Sequence, residues 1–123
     1  MKFLLDANFL MIPGKFRVDV FRELEKFGKP ELYTTELVVK ELSNLSKATK
    51  GKDAFFAKLG LSFIQEKDIG ILESQEKNAD REILRLSKEG FTACTQDKAL
   101  TSKIMKARGK VVFLRQGKYL EMK

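Results

Sequence analysis

Histidine is absent from the 123-residue chain, which removes Ser-His-Asp and Cys-His nucleophilic schemes and most zinc chemistry. Cysteine is nearly absent: Cys94 alone, in the apolar run Phe91-Thr-Ala-Cys-Thr95, cannot form an intrachain disulfide and is expected to be a buried, inert thiol. Long hydrophobic runs are missing, and nothing approaches the roughly 18 apolar residues of a membrane span. The opening Met-Lys meets Asp6 after one short strand, too soon for a signal-peptide core, so a cytoplasmic address with no membrane partner is expected. Proline occurs only twice, and with 43% hydrophobic and 33% charged residues the chain is expected to fold unaided as one domain over residues 1–123. An enzyme of this composition must work with carboxylates, amides, hydroxyls and amines, or with a hard metal ion.

Acidic residues are scarce at one end. Residues 98–123 hold eight of the 24 basic residues and, at Glu121, one of the 17 acidic ones, so they carry the whole net charge of +7. A basic end on a balanced body points to an anionic partner, nucleic acid first and acidic protein second. The plainer alternative is a solvated helix face in a lysine-rich chain.

What is present is organised around Phe3-Leu-Leu-Asp6-Ala-Asn8. Three large apolar side chains before a polar stop read as a short strand buried on both faces, and a carboxylate just past its end falls at the rim of a sheet, where open α/β folds hold ligands. A short helix is expected over 7–12, ended by Pro13-Gly14, then an amphipathic helix over Asp19–Phe27 closed by Gly28. Glu31–Thr34 reads as a second strand, with Thr34 or Thr35 capping a helix from Glu36 to about Leu45. Leu37, Val38, Leu42 and Leu45 form its apolar stripe, and Glu41 lies at the stripe's edge, while Glu36 complements the helix dipole. Lys47, Lys50 and Lys52 form a basic loop. A helix over Asp53–Phe63 with Gly60 near its end, a strand over Ile69–Leu72 and a helix capped by Asn78 follow, with Asp80 in its first turn, Ile83, Leu84 and Leu86 facing inward, and Gly90 as its stop. Phe91–Thr95 reads as a buried strand ending in Gln96-Asp97. A helix over Ala99–Ala107 is expected to bury Leu100, Ile104 and Ala107. A strand over Val111–Leu114 and a turn at Gln116-Gly117 into Lys118–Glu121 complete a C-terminal hairpin. Strands alternating with helices predict an α/β fold with a mostly parallel sheet between helical layers.

Asp6 and Asp97 each follow a buried strand, so they share one edge of a parallel sheet. Asp80 opens a helix whose N-terminus faces that same edge, and Glu41 reaches it by leaning inward. Massed carboxylates raise one another's pKa unless a cation neutralises them, and oxygen-only ligation selects Mg²⁺ or Mn²⁺. One or two such ions, about 4 Å apart, could activate a water and stabilise the leaving oxygen of a phosphodiester. Each acid alone reads equally as a cap or a solvated charge.

Taken together, Leu4-Leu-Asp6-Ala-Asn8, Glu41 in Val39-Lys-Glu-Leu, Ala79-Asp80-x-x-Ile83 and Thr95-Gln-Asp97-Lys-x-Leu100 resemble, in order and spacing, the PIN-domain ribonucleases over essentially the whole chain. Asn8–Pro13 and Leu114–Leu120 resemble an archaeal branch related to the Fcf-type nucleases of small-subunit pre-rRNA processing. The resemblance implies a three-layer α/β/α sandwich with strand order 3-2-1-4-5. It also implies a Mg²⁺ or Mn²⁺ site at Asp6, Glu41, Asp80 and Asp97, with Asn8 steadying the first Asp and Thr95 beside the last. Three positions depart from the family pattern. Ala7 stands in place of Thr or Ser and removes a hydrogen bond, Gln96 replaces a frequent Asn, and Arg81 replaces a frequent second Asp. Arg81 could pair with one of the acids or hold a phosphate.

The function expected on this resemblance is a metal-dependent endoribonuclease acting in rRNA processing or ribosome assembly. Lys47, Lys50, Lys52, Lys98, Lys103 and Lys106 are the candidate contacts to the RNA backbone. Ribosome-assembly proteins and a second copy of the chain are the other expected partners. A non-catalytic RNA-binding or assembly factor on the same fold is the alternative, supported by Ala7 and Arg81, and a toxin-type ribonuclease dependent on an antitoxin is the closest rival among enzymes. A phospho-receiver domain needs an acid pair after its first strand and a central strand-end Asp, and neither is present.

Overall fold

The computed structural model describes residues 1–48 and 50–123. Thr49, inside the basic segment 47–52, lies outside the described residues. Strand β1 (Lys2–Leu5) leads into two short helices, α1 (Ala7–Leu10) and α2 (Ile12–Phe16), and then α3 (Val20–Leu24) with a 3₁₀ turn over Glu25–Phe27. Strand β2 (Glu31–Thr35) feeds α4 (Glu36–Ala48) and α5 (Lys52–Glu66), followed by β3 (Gly70–Leu72) and α6 (Ala79–Ser87). The chain ends with β4 (Thr92–Cys94), α7 (Lys98–Lys106), β5 (Val111–Arg115) and β6 (Tyr119–Met122).

The sheet order is β3-β2-β1-β4-β5-β6, parallel throughout except for the antiparallel β5–β6 hairpin. The first five strands thus follow the expected 3-2-1-4-5 order. Connections from β1 move to one side of the sheet and those from β4 to the other. Right-handed crossovers therefore place α1, α4 and α5 on one face and α6 and α7 on the opposite face. The result is a three-layer α/β/α sandwich. No described helix is long and apolar enough to cross a membrane.

β1 is the central strand, and Phe3, Leu4 and Leu5 are each 0% exposed because helices cover both sides of it. Leu5 sits opposite Cys94 in the β1–β4 pair, and the Asp6 N–H extends that ladder to the Cys94 carbonyl at 3.0 Å. The Leu5 carbonyl accepts from the Thr34 hydroxyl of β2 at 2.7 Å, so both neighbours fix where β1 ends. Cys94 is fully buried, and burial pushes its thiol well above the usual range, as expected of an inert core thiol.

Several boundaries differ from the sequence reading. Pro13-Gly14 does not end the first helix: the chain breaks at Met11, and Pro13 enters α2 in the first turn, where its missing N–H costs nothing. The amphipathic stretch over 19–27 tightens to 3₁₀ geometry after Leu24. α4 and α5 run longer than their apolar stripes, packing against each other as a helical hairpin. Ala107 is exposed, at the cap of α7 and not in the core.

Gly60 lies within α5, well before its end, where the helix crosses α1 and α4. A methyl group there would meet the Leu10 carbonyl at 3.4 Å and Leu42 Cδ1 at 3.5 Å, ordinary contact distances. Gly60→Ala is therefore expected to gain helix propensity without a clash, about 0.8–1 kcal/mol. A thermal midpoint a few degrees above wild type checks it.

Candidate functional site

The C-terminal ends of β1 and β4 form the crevice where chain connections diverge to opposite sides of the sheet, the usual ligand position in such folds. Asp6 follows β1 directly and is only 4% exposed. One of its oxygens, Oδ1, accepts from the Ala7 N–H at 2.8 Å, and Oδ2 accepts from the Thr95 hydroxyl at 2.7 Å. The Asn8 amide lies 3.4 Å from Oδ2, a long contact, while its Oδ1 accepts more firmly from the Gln96 N–H at 3.0 Å. Asn8 and Thr95 thus tie the segment after β1 to the segment after β4.

Asp97 caps α7, its Oδ1 accepting from the Leu100 N–H at 3.0 Å, and its own N–H donates to Thr95 Oγ1 at 3.1 Å. Asn78 caps α6 through the Arg81 N–H at 2.9 Å, which sets Asp80 in the first turn. Glu41 projects from α4 and, with Asp80, Arg81 and Lys103, lines an open cleft of about 310 Å³.

Partial loss of water raises the Asp6, Glu41 and Asp80 carboxyls above their ordinary values. For Asp6 burial is the largest cause, the Thr95 and Ala7 hydrogen bonds oppose it, and repulsion from Asp80 and Asp97 adds to it. Glu41 feels burial first, then Asp6 and Asp80. Asp80 feels burial, then Asp97, with Lys103 opposing. The four acids therefore share one field, although they come from four separate segments. Among the described residues no three of them close into a cage tight enough to ligate one ion directly. The spacing of the side chains is open, with Asp6 engaged by Thr95 and Ala7 and Asp97 by its helix cap.

Arg81 is exposed and makes no ion pair among the described residues, so it does not neutralise Asp80. Of the six lysines singled out in the sequence, Lys103 lines the acidic cleft and Lys98 stands on the first turn of α7 beside Thr95. Lys106 is exposed in the last turn of α7, and Lys47, Lys50 and Lys52 are exposed around the α4–α5 turn.

The roles of two side chains could not be read from the sequence pattern alone. Glu82 is 0% exposed, although its neighbours Asp80 and Arg81 face solvent. Its burial does leave a signal: with Ala79, Ile83 and Leu86 it occupies the inward i, i+3, i+4, i+7 stripe of α6. Gln96 uses its amide to clasp the Leu114 backbone, its Oε1 accepting at 2.6 Å and its Nε2 donating at 3.3 Å, and so extends the β4–β5 seam past the strands.

The pattern of the family described as PIN like domain matches residues 3–117. Ribonuclease VapC4 of Methanocaldococcus jannaschii is 31% identical, over 98% of this chain and 95% of that protein. Ribonuclease VapC9 of Archaeoglobus fulgidus is 26% identical, over 93% of this chain and 83% of that protein. The solved structure of the PIN domain endonuclease Utp24 superposes with a TM-score of 0.81, covering 99% of this chain and 90% of that one at 19% identity, a likeness of fold. With a family pattern over nearly its full length and a relative above 30% identity across all but its margins, this chain belongs to the PIN-like domain family.

Proposed function

We propose that the chain is an endoribonuclease that hydrolyses RNA phosphodiester bonds with Mg²⁺ or Mn²⁺ held at Asp6, Glu41, Asp80 and Asp97. The observation that carries this reading is the gathering of these acids from four segments at one edge of the sheet: burial first and mutual repulsion second raise three of them, Lys103 offsets this only at Asp80, and none of the four has a Lys or Arg nitrogen within 4.0 Å among the described residues. A fold that tolerates such a cluster is matched by a divalent counterion. The donor set fits one: it is all oxygen, and its open spacing suits Mg²⁺, which keeps several waters and takes one or two carboxylates plus substrate phosphate oxygens instead of an all-protein cage. Such an ion would supply an ionised water at neutral pH and charge relief for the leaving oxygen.

The chain's own residues do the rest. Thr95 and the Ala7 N–H hold the Asp6 carboxylate in one orientation, so no side-chain reorganisation is needed when substrate arrives. Arg81 and Lys103, on the rim of the acidic cleft, meet the phosphate oxygens flanking the reacting one, and Lys98 extends that grip along α7. The relatives named ribonucleases support the activity class.

Incubation of labelled single-stranded RNA with the protein in Mn²⁺, Mg²⁺ or chelator tests the proposal. Cleavage is expected only with the divalent ions, and Asp80→Asn is expected to reduce it at least about ten-fold while weakening Mn²⁺ binding in a calorimetric titration. A wild-type protein that binds RNA and never cuts it would instead be the non-catalytic RNA-binding factor, the reading supported by Ala7 and Arg81 at positions where the family pattern has a hydroxyl and a second acid.

A further inference from the structure

A second cavity, of about 440 Å³, adjoins the acids on the side away from Glu41. It lies between the first turn of α7 and the β5–β6 hairpin, with Lys98 on one bank and Phe113, Arg115 and Gln116 on the other. Thr95 lines it, and the same Thr95 hydroxyl donates to Asp6 at 2.7 Å, so one residue separates the groove from the most buried carboxylate. No acid lines it. Lys98 and Lys123 make no ion pair among the described residues, and Arg115 shares its charge with Glu121 at 2.6 Å. Its size is within the about 300–1,000 Å³ of sites that take a small organic molecule.

Phe113 decides what kind of molecule. It is the half-buried position of β5, whereas Val111, Val112 and Leu114 go into the core. The Lys123 ammonium sits over its ring, 4.8 Å from the centroid, so the face it presents to the groove is one that already attracts a cation. A flat π face, a cationic rim and a wall residue, Thr95, hydrogen-bonded to both Asp6 and Asp97 fit an unstacked nucleotide. Its base would lie against the ring and its phosphate would face the lysines.

We infer that this groove holds one unpaired nucleotide of the RNA strand next to the scissile phosphate, with Phe113 as its stacking surface and Lys98 and Lys123 as its phosphate contacts. The inference rests on the endoribonuclease reading and adds to it a base-stacking subsite on the β5–β6 hairpin, outside the four acids. A duplex cannot present a base to Phe113 without unpairing it. Lys123, at the end of a flexible stem, yields the ring to the base and turns to the backbone.

The test is fluorescence anisotropy in chelator, where nothing is cleaved, with labelled octauridylate and a labelled twelve-base-pair RNA duplex as probes. Phe113→Ala is expected to weaken octauridylate binding about five-fold or more and duplex binding less than two-fold. Phe113→Leu keeps the apolar fill of the hairpin but not the flat face and shows the same loss, while Phe113→Tyr stays within two-fold of wild type. Equal octauridylate affinity for wild type, Phe113→Ala and Phe113→Leu overturns the inference, as does a loss that is as large on the duplex. If the Phe113 effect is present and the wild type never cuts RNA with either metal, the groove stands and the nuclease reading falls. If the wild type cuts and the Phe113 variants match it in affinity and cleavage position, the nuclease reading stands and the groove falls.

Discussion

Asp6→Asn is expected to remove divalent-dependent RNA cleavage by at least about a hundred-fold while leaving the metal-free protein as stable as wild type or more so. The loss follows from position. Asp6 is the one acid of the four that is nearly closed off from water, and both of its oxygens are already oriented by Ala7 and Thr95. Asn keeps an acceptor for the Ala7 N–H, and its amide can donate to the Thr95 oxygen, so only the long 3.4 Å contact from the Asn8 amide is lost. Apart from that contact, only the charge goes. In the wild type that charge is a burden to the fold, because burial and the neighbouring acids raise the Asp6 carboxyl above 3.8, as they do Asp80 above 3.8 and Glu41 above 4.5. Between those ordinary values and the raised ones the native state binds more protons than the unfolded chain, so stability falls as pH rises. Glu82 and Glu23 act oppositely: both are lowered from 4.5, and their contribution is lost as pH falls below it. Thermal midpoints measured in chelator should therefore decline as pH rises through the acidic range above these ordinary values, and Asp6→Asn should flatten the decline. Millimolar Mn²⁺ should raise the wild-type midpoint at neutral pH, since an ion that binds only the native state stabilises it. A wild-type midpoint indifferent to both pH and Mn²⁺ would remove the basis for a cation site.

Much of this architecture could be read from apolar runs that stop at a carboxylate. Phe3–Leu5 and Ala93–Cys94 are buried on both faces, so they show no polar alternation, and each ends where the sheet does. That the two strands are neighbours could not be read from periodicity, which is blind to strand order. It came from the family likeness, and the β1–β4 register shows it. The boundaries that moved did so for local reasons that tertiary packing decides: Pro13 is tolerated because it falls in a first helical turn, and Gly60 continues α5 because α1 crosses there. The acids were recognisable as residues, but their spacing was not. Whether carboxylates close into a cage depends on which oxygens the backbone has already engaged, and the Asp97 helix cap and the Ala7 contact to Asp6 are invisible until the chain is folded. The groove beside Phe113 was missed because its parts, Thr95, Lys98 and the β5–β6 hairpin, are distant in sequence and none is unusual alone.

Glu82→Ala is expected to cost about 3 kcal/mol of stability and, through Asp80, part of the activity. Its carboxylate is completely enclosed and gathers three groups: Arg85 Nε at 2.6 Å, the Gln75 N–H, and a further pull from the Glu76 N–H. Burial on its own would raise this carboxyl, but the hydrogen bonds together outweigh it and keep it ionised, below the ordinary range. Arg85 in turn reaches Glu89 at 3.1 Å. The Gln75 and Glu76 amides belong to the segment between β3 and α6, and the preceding Ser74 N–H is held by Glu36 of α4 at 2.9 Å. Two carboxylates on opposite helical layers thus pin the stretch that delivers Asn78 to its cap and Asp80 to the cleft. Alanine would leave Arg85 short of a partner and two backbone donors in a void, the costly way to break a buried pair. Glu82→Gln retains an acceptor and the volume, so it should lose less. Because the pinned segment sets the position of Asp80, both variants should show weaker Mn²⁺ binding in proportion to their loss of order, measured well below their thermal midpoints. A Glu82→Ala protein with wild-type stability would show that the enclosed carboxylate is not what holds this segment in place.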